Sequence, residues 1–555
     1  MFLTEFRVGG FKAFRDTQRL PIKPITLVFG PNSGGKSSLI HALLFAHEAI
    51  VNEKLDVRQT QLGGDSVDLG GFANYAYGHE LAREIEFGFR LPKPVLSDGS
   101  CPVADSEFNI TSRVACSHVP HVRTCSIASR HFRMLLTESA GKLSLVEIDG
   151  EPIGSYRVYK TREMHSDEQE IEAPDFRPGN AQWGGGPTYD EWTQVREVEA
   201  VGAGLVPRCL AGRQEEGEPQ LKGSWDNHRR IAVPWLGAEQ LPGYLSYEEW
   251  ARRNRVDLPR YAQAAEITLD EEAGPSEGDR TDKPTEGGNA QYAAFIQRLR
   301  DSHKTVPKRA IPFEAELNDI VKTVHSRLCG GFGKLKYLGP FRSYPSRRLP
   351  LPAANNPNFN ATGASAWYKV QTDDDVRTAV NHWLGSGLLQ TPYEIEPGGP
   401  ETTELRLTDV RRKVRVSHRD IGIGVSQVLP VLVEAYGSSG ATIVIEQPEI
   451  HLHPALQAEL GDVFIKAALS ERQNTFIIET HSEHLILRLL RRIRETSEGN
   501  IASGLTAVTP EHVSVVYVEP TESGSRVLVM NVDEKGRLAT PWPGGFFTER
   551  ADELF

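Results

Sequence analysis

The feature that most constrains this 555-residue chain is a glycine-rich loop near its start. Residues 30–37, Gly-Pro-Asn-Ser-Gly-Gly-Lys-Ser, match the pattern G-x-x-x-x-G-K-[ST] in full. The apolar run 25–29 predicts a buried strand before the loop, and the run from Ser38 predicts a helix after it. In that setting the backbone N–H groups of the loop and the helix N-terminus surround phosphate oxygens. The sequence therefore predicts a phosphate-binding loop.

Two side chains of this loop carry its chemistry. Lys36 can reach the β- and γ-phosphates of a nucleotide, and Ser37 offers a hydroxyl to Mg²⁺. The residues predicted to hold the nucleotide here are Gly30, Asn32, Ser33, Gly34, Gly35, Lys36, Ser37 and Ser38.

A second polar cluster follows the apolar run ATIVI far along the chain. The run ends in Glu446 and continues with Gln447, Glu449, His451 and His453. Four apolar residues before a carboxylate indicate a central strand that ends in a Mg²⁺-orienting acid, which a phosphate loop needs beside it. We interpret the two histidines as structural residues at a strand-to-helix corner, in preference to metal ligands or catalysts.

A third strand is predicted from Thr475 to Glu479, followed by Thr480 and His481. A histidine at the C-terminal edge of an open α/β sheet points into the ligand crevice. Beside the other two motifs, His481 is predicted to sense the γ-phosphate. An ordinary surface or capping residue is the alternative.

A glycine-rich turn precedes the acid strand. It runs from Asp420 through Gly422 and Gly424 to Ser426 and Gln427, and a helical run follows it. Such a turn at a helix start is a second anion-binding end in a chain that already has a complete phosphate loop. A simple helix start is the alternative interpretation.

In this order along the chain, the phosphate loop, turn, acid strand and histidine strand resemble those of ABC-type ATPases. The segments FRVGGFKAFRD and IEQPEIHLHP are similar to the SMC/RecF/OLD-like branch, and YLGPFRSYP and WPGGFF are similar to a bacterial group of ATPases within it. The resemblance covers residues 1–90 and 330–555. It implies an α/β fold, the ABC-ATPase head: a mostly parallel sheet flanked by helices, an antiparallel β-subdomain, and here an inserted accessory domain.

The resemblance also implies roles for single residues. ATP and Mg²⁺ are the implied cofactors, and two copies of the chain would enclose the nucleotide in a homodimer or higher homo-oligomer. Gly35, Lys36 and Ser37 would bind phosphate and Mg²⁺, and Glu446 would orient Mg²⁺. Ser426 would act on the γ-phosphate of the opposite subunit, and His481 would be the switch residue. For the glutamine of the Q-loop, Gln59 and Gln61 are the candidates, neither in a distinctive context.

One position departs from the family pattern. Where transporters and many SMC-like ATPases place the glutamate that polarises the attacking water, this chain has Gln447. Glutamine can orient water but cannot accept its proton, and loss of a general base costs about 10²–10⁴ in rate. Either Glu449 takes the role, or hydrolysis is slow and the ATP-bound dimer is long-lived.

Composition divides the chain into three regions. Residues 161–290 hold 14 Lys/Arg against 26 Asp/Glu, which accounts for the whole net charge of −12. We therefore predict an N-terminal part of the head at 1–150, an acidic and partly irregular insert at 151–305 with a flexible loop near 270–289, and a C-terminal part at 306–555. Composition gives no support for nucleic-acid binding.

Other features exclude whole classes. No apolar run approaches the roughly 18–20 residues of a membrane span, and the N-terminus lacks the apolar core of a signal peptide. Five scattered cysteines do not indicate a disulfide framework. A cytoplasmic protein without a membrane domain is expected.

Two weaker clusters have structural interpretations. Cys116, His118, His121 and Cys125 lie within ten residues but are predicted to form a strand, a turn and a strand with the ligand types on differing faces, not a zinc site. The strand ending at Glu519 and the stretch near Asp533 superficially echo a Toprim nuclease. They lack Asp-x-Asp and are predicted to be closing strands of the ATPase.

The leading hypothesis is an ATPase whose nucleotide state controls a separate, nuclease-like effector or its engagement of nucleic acid, in bacterial anti-phage defence. It rests on resemblance. An ATP-assembled regulatory scaffold with slow hydrolysis and a DNA-repair ATPase are the alternatives. A basic ridge could touch phosphate, although a solvated helix face explains it equally well; it comprises Arg488, Arg491, Arg492 and Arg494.

Overall fold

The structure is a computed structural model. It describes residues 2–94, 107–130, 133–139, 141–148, 151–152, 157–159, 192–194, 198–202, 204–212, 315–342, 360–386, 392–398, 405–419 and 422–547. Most of the predicted insert, including its loop near 270–289, lies outside the described residues, as does Asp420.

A six-stranded sheet, here called the parallel sheet, contains all three motif strands. Its spatial order is β16 (Leu335–Leu338), β20 (Thr442–Glu446), β21 (Thr475–Glu479), β3 (Ile25–Phe29), β22 (Val513–Glu519) and β23 (Arg526–Val529). Only the β22–β23 pair is antiparallel. Every residue of β3, β20 and β21 is buried, as expected for strands covered on both faces. The predicted motif strands, and the closing strand that ends at Glu519, are confirmed.

Helices cover both faces of this sheet. They are α1 (Lys36–Val51), α2 (Phe72–Tyr75), α3 (Ala315–Phe332), α4 (Ala364–Thr372), α5 (Asp374–Ser386), α6 (Ile423–Gly437), α7 (Pro454–Leu469) and α8 (Glu483–Ser497). Side chains of a strand alternate between the two faces. Val28 therefore packs in the core with α1 and α3, while Ile25, Leu27 and Phe29 pack in the core with α4 to α8. The helix predicted after the phosphate loop is confirmed as α1.

A ten-stranded antiparallel sheet forms the second layer. Its strands are β1 (Glu5–Gly9), β2 (Gln18–Pro21), β6 (Ile85–Leu91), β7 (Phe108–Cys116), β8 (Pro120–Ala128), β9 (Arg133–Ser139), β10 (Lys142–Ile148), β11 (Glu151–Pro152), β14 (Val198–Val201) and β15 (Cys209–Gly212). The order is β15-β14-β10-β9-β8-β7-β6-β1-β2, with β11 on β10. Burial alternates along β7, so one face of that strand packs on the core. The predicted α/β head with an antiparallel subdomain is confirmed.

The predicted boundary at residue 150 remains a prediction. Strands β14 and β15 come from the 151–305 segment and extend the antiparallel sheet beyond β10. Smaller sheets complete the described fold: β4 (Gln59–Thr60) with β5 (Gly64–Asp68), β12 (Arg157–Tyr159) with β13 (Trp192–Gln194), and β17 (Tyr393–Ile395) with β18 (Arg406–Asp409) and β19 (Val414–Ser417).

The Cys116–Cys125 segment forms the hairpin of β7 and β8. Cys116 lies opposite Pro120, and Cys125 lies opposite Ser112. Burial raises the pKa of the Cys125 thiol to about 11. The predicted strand, turn and strand are confirmed, and within the described ranges no group of side chains is arranged to hold a metal ion by His, Cys, Asp and Glu alone.

The C-terminal segment closes over the end of β3. Trp542 and Phe547 pack edge-on against Phe29, with ring centroids 5.1 and 5.7 Å away, and Phe546 contacts Tyr517 of β22. Phe29 is the residue directly before the phosphate loop, so this aromatic cluster fixes the strand end from which the loop departs. In the described part of the chain, no helix has the length and apolar character of a membrane span.

Candidate nucleotide-binding site

The phosphate loop requires glycine at two positions. Gly30 has φ 149°, and a Cβ there would lie 2.4 Å from the carbonyl oxygen of Val518. Gly35, the N-cap of α1, has φ 101°, and its Cβ would lie 2.9 Å from Cβ of Ala13. Larger residues would force the loop away from β22 and from the turn after β1. Local sequence therefore determines the loop's path.

The lysine of the loop is buried and held by the loop itself. Lys36 Nζ donates to the carbonyl oxygens of Gly30 and Pro31 at 3.0 and 2.9 Å. Burial lowers its pKa, while the carboxylates of Glu479, Glu446 and Glu449 raise it in that order. Among the remaining loop residues, Asn32 and Ser33 are exposed. The ammonium group of Lys36 is therefore buried inside the loop, while Asn32 and Ser33 are exposed on its outer side.

The serine of the loop meets two carboxylates. Ser37 Oγ lies 3.0 Å from Glu479 Oε2 and 3.5 Å from Glu446 Oε2, although it is separated from them by 442 and 409 residues in sequence. Glu446 Oε1 accepts a hydrogen bond from the Tyr337 hydroxyl at 2.8 Å. The structure therefore brings the predicted pair Ser37 and Glu446 together, and adds Glu479 and Tyr337.

These carboxylates lie in an unfavourable environment for negative charge. Burial, and then the charge of Glu479, raise the pKa of Glu446 to about 7 against the opposing effects of Tyr337, Ser37 and Lys36. Burial also raises the pKa of Glu479. A hydroxyl and carboxylate oxygens are the hard ligands that Mg²⁺ prefers, and a cation would favour ionisation of both acids. The residues present fit a magnesium ion held by Ser37 and Glu446.

Beyond the acid strand the chain turns sharply. Gln447 has φ 48°, and its backbone N–H donates to the carbonyl oxygen of Glu479 at 2.7 Å. Arg342 Nη2 donates to the carbonyl oxygens of Glu446 and Gln447 at 2.8 and 3.1 Å. Its Nη1 donates to the carbonyl oxygen of Gln427 at 3.4 Å, and the Gln427 amide returns a hydrogen bond to Arg342. Arg342 thereby joins the acid strand to α6.

Glu449 and His481 are also brought together. The backbone N–H of His481 donates to Glu449 Oε1 at 2.7 Å. Glu449 Oε2 and His481 Nε2 have no hydrogen-bond partner within the described residues. Burial raises the pKa of Glu449, whereas burial and then the charge of Lys36 lower the pKa of His481. Glu449 therefore has one oxygen fixed by a backbone N–H, and the lowered pKa of His481 favours its neutral imidazole.

The glycine-rich turn is part of a helix. Helix α6 begins at Ile423, so Gly424, Ser426 and Gln427 lie in its first turns, ahead of the predicted start. Ser426 is fully buried, and within the described ranges its hydroxyl has no hydrogen-bond partner. Gly422 and Ile423 are exposed instead. The structure therefore presents the start of α6 at the surface, and not the Ser426 side chain.

The two Q-loop candidates lie at the β4–β5 hairpin. The backbone N–H of Gln61 donates to Glu48 Oε1 at 2.5 Å, and its side chain accepts from Asn52. Glu48 lies about 16 Å along α1 from Ser37 at 1.5 Å per residue. Gln59 pairs with Asp68 in the β4–β5 hairpin. Gln61 is therefore held near the far end of α1. Gln59 stays a candidate, because its register partner Asp68 and Glu446 both raise the pKa of Lys12.

The remaining candidates have structural placements. His453 is the N-cap of α7, and its Nδ1 accepts from the backbone N–H of Ala455 at 3.3 Å, which confirms the structural interpretation of that residue. His451 has φ 62° and is exposed on the same corner. Ser38 is half-buried in the first turn of α1.

The predicted basic ridge on α8 is largely matched by acids. Arg492 pairs with Asp462 and Glu495 at 2.7 and 2.6 Å, and Arg488 pairs with Asp462. Arg491 pairs with Glu495 at 2.6 Å, and Arg494 is exposed. The ridge therefore has less unbalanced charge than its sequence indicates.

Sequence reasoning missed four groups around the site: Glu479, Tyr337, the role of Arg342, and Lys12. Lys12 Nζ lies 2.8 Å from His41 Nδ1 on α1, and burial lowers its pKa while Asp68 and Glu446 raise it. Tyr337, Arg342 and Lys12 lie in the family-like segments YLGPFRSYP and FRVGGFKAFRD, but nothing in those segments assigned them a role at the site. Glu479 alone had a usable signal, because it ends a strand predicted to lie beside the acid strand.

Two parts of the chain match models of protein families. Residues 309–486 match the family described as AAA ATPase domain, and residues 508–555 match the family described as Protein of unknown function (DUF3696). No curated protein matches.

Solved structures similar to this chain include SMC head domains. An SMC head bound to the C-winged helix domain of ScpA is 10% identical with a TM-score of 0.35, covering 96% of this chain and 99% of that one. The SMC head domain from Thermotoga maritima is 9% identical with a TM-score of 0.33, covering 96% and 100%. The Smc head domain with an extended coiled coil, bound to the C-terminal domain of ScpA derived from Pyrococcus furiosus, is 11% identical with a TM-score of 0.33, covering 100% and 98%.

Proposed function

We propose that this chain, which contains an AAA ATPase domain, binds Mg²⁺ and ATP at residues 30–38 and hydrolyses the ATP as a head-to-head homodimer. The observation that best supports the proposal is the contact of Ser37 with Glu446. It joins a phosphate loop to an acid strand, which is the pair of elements that phosphoryl transfer from ATP requires.

Within one copy, the proposal assigns each group a task. Lys36 and the N–H groups of the loop bind phosphate, and Ser37 and Glu446 hold Mg²⁺. When bound, Mg²⁺ neutralises charge on the transferring phosphoryl group. Glu449 accepts the proton of the attacking water, because its Oε1 is fixed by His481 N–H and burial raises its pKa above the ordinary value, which makes it a stronger base. Gln447 orients the water, and His481 senses the γ-phosphate.

The second copy would close the site with the start of α6. Gly422 and Ile423 are exposed there, and a helix N-terminus attracts anions through its free N–H groups. In this arrangement the backbone of α6, together with Gly424, caps the γ-phosphate of the opposite subunit. Ser426 would join only after a rearrangement that uncovers its hydroxyl.

The finer function proposed is control of a separate, nuclease-like effector by nucleotide state, in bacterial anti-phage defence. The ion pairs of α8 with Asp462 and Glu495 favour a protein partner over direct engagement of nucleic acid by that helix. Turnover measured with and without duplex DNA separates the two, because strong stimulation by DNA would favour the nucleic-acid form or a DNA-repair ATPase.

A second candidate function is an ATP-assembled scaffold with slow hydrolysis. Gln447 supports it, because an amide at this position cannot accept a proton. A dimer that persists for hours after ATP addition, with turnover unchanged by Glu449→Gln, would favour the scaffold over the effector-controlling ATPase.

The dimer is tested by mixing two inactive variants. Lys36→Ala removes phosphate binding. Gly422→Asp places a negative charge at the α6 start where no described atom lies within 4 Å of the new Cβ, and Asp is a favourable N-cap. The aspartate is therefore tolerated by the fold but repels a triphosphate from the opposite subunit.

Each variant alone is expected to be folded and inactive in phosphate release. A 1:1 mixture should regain about a quarter of the wild-type rate, since half of the dimers are mixed and each has one intact composite site. A mixture as inactive as its components would contradict the head-to-head arrangement. Wild-type affinity for ATP in Lys36→Ala would contradict nucleotide binding at this loop.

A further inference from the structure

We propose that Glu479 is a second carboxylate ligand of the magnesium site, acting with Ser37 and Glu446. The inference rests on the proposed ATPase function and deepens it. A conventional phosphate loop is served by one acid at the end of one strand, whereas here two adjacent strands each end in a glutamate that reaches the same serine hydroxyl.

The placement of Glu479 follows from strand register. Strands β20 and β21 are parallel neighbours, and Glu446 is the register partner of Glu479. Directly opposed residues on neighbouring strands point to the same side of a sheet. The two carboxylates must therefore lie side by side at the carboxyl edge, where β3 delivers the phosphate loop.

This pair of acids has few hydrogen-bond donors, of which the Tyr337 hydroxyl donates to Glu446 at 2.8 Å. Ser37 has one hydroxyl proton and can donate to only one of the two carboxylates that face it. Lys36 Nζ lies 4.0 Å from Glu479 Oε1, beyond hydrogen-bond distance, and it donates to Gly30 and Pro31. Glu479 thus forms a long ion pair with Lys36, and it shares the single proton of Ser37 with Glu446.

Burial makes a cation the matching ligand. Glu446 and Glu479 are 5% and 3% exposed, and two like charges side by side in so dry a place are unfavourable unless positive charge compensates them. Lys36, 4.0 Å from Glu479, brings one positive charge to two carboxylates. A hydroxyl and two carboxylates supply three oxygen ligands. Mg²⁺ takes about six, which leaves positions for phosphate oxygens and water.

The test measures metal binding without nucleotide, using Mn²⁺ alone as the probe. Isothermal titration and the electron paramagnetic resonance signal of free Mn²⁺ give the affinity of purified full-length protein. Wild type is expected to bind Mn²⁺, and Glu479→Gln and Glu446→Gln are each expected to weaken it by at least about 10–100-fold, the loss that even outer ligand partners cause. Glu498→Gln, an exposed glutamate beyond α8, is the matched control and should bind as wild type does.

Two further variants keep the result interpretable. Glu479→Asp retains the charge and should recover part of the Mn²⁺ affinity that Glu479→Gln loses, which a purely structural role would not produce. Lys36→Ala should lose ATP binding but keep Mn²⁺ binding, so failure of the ATPase proposal and failure of this inference give different patterns. Absence of Mn²⁺ binding in wild type, or equal affinity in wild type and folded Glu479→Gln, would overturn the inference.

Discussion

Charged residues are arranged differently on the two large sheets of this chain. On the antiparallel sheet, several acids and bases pair near the surface, such as Arg113 of β7 with Glu86 of β6 at 3.1 Å, and Arg123 of β8 with Glu84 just before β6. At the carboxyl edge of the parallel sheet, Lys36, Glu446 and Glu479 are all at most 5% exposed. On the antiparallel sheet, opposite charges are paired where solvent reaches them. At the edge of the parallel sheet, carboxylates outnumber the buried cation beside them.

The two arrangements of charge differ in their energetic cost, and the costlier arrangement indicates a functional role. Exposed pairs contribute about 0–1 kcal/mol because water and salt screen them. Buried charges cost several kcal/mol each unless a partner compensates them. A fold keeps such a cluster when a ligand completes it, so the buried acids of the parallel sheet support the proposed site more strongly than any surface pair does.

The largest effect expected on the parallel-sheet side is on catalysis. Glu449→Gln should lower ATP turnover by about 10²–10⁴ with ATP affinity nearly unchanged, because the amide keeps the contact to His481 N–H but cannot accept a proton. Single-turnover phosphate release and fluorescent-nucleotide binding measure the two quantities. An unchanged rate would remove Glu449 from the mechanism.

A smaller effect, on the stability of the whole fold, is expected when the buried guanidinium of Arg342 is replaced. Arg342→Lys leaves a single nitrogen where two now donate to the carbonyl oxygens of Glu446, Gln447 and Gln427. The free energy of unfolding should fall by about 2–3 kcal/mol, measured by urea denaturation. Arg113→Lys on the antiparallel sheet is the control. Equal losses in the two variants would break the contrast between the sheets.

A third effect depends on pH. The pKa of Glu446 is about 7 in the folded chain against about 4.5 unfolded, so wild-type stability falls as pH rises through that interval. In EDTA, Glu446→Gln should therefore be more stable than wild type at pH 8, by on the order of 1–3 kcal/mol, and equal to it near pH 4.5. Thermal and urea unfolding across this range measure the difference. A variant less stable than wild type at pH 8 would contradict the buried-charge account.

The smallest effect belongs to the antiparallel sheet. Arg113→Ala breaks an exposed pair with Glu86 and should change the free energy of unfolding by less than about 1 kcal/mol. The loss should shrink further in high salt. A loss of several kcal/mol would show that the exposed pairs are also structural, and the contrast between the sheets would fail.

Sequence reasoning succeeded where local pattern and chemistry coincide. The phosphate loop, the acid strand and the histidine strand each combine an apolar run with polar residues at its end, and all three strands lie where predicted. Parallel strands deliver their carboxyl ends to one edge, so the meeting of Ser37 with Glu446 could be expected from the sequence.

The rest depends on tertiary packing that no local pattern encodes. Tyr337 and Arg342 were noticed only as part of a family-like segment, and their contacts with Glu446 arise because β16 pairs with β20. Ser426 is buried because α6 already begins at Ile423. The glycines before Ser426 had indicated a turn there, and not a helix. Strands β14 and β15 extend the antiparallel sheet, although they follow residue 150, where the change in composition had suggested a domain boundary.

The position of β3 has a consequence for the chain as it leaves the ribosome. This strand is synthesised at the start, yet both of its neighbours, β21 and β22, begin only at residues 475 and 513. At roughly 5–20 residues per second, β3 waits about 20–90 s for β21. Throughout that time neither native neighbour of this apolar strand has been synthesised, which exposes its edges to non-native pairing.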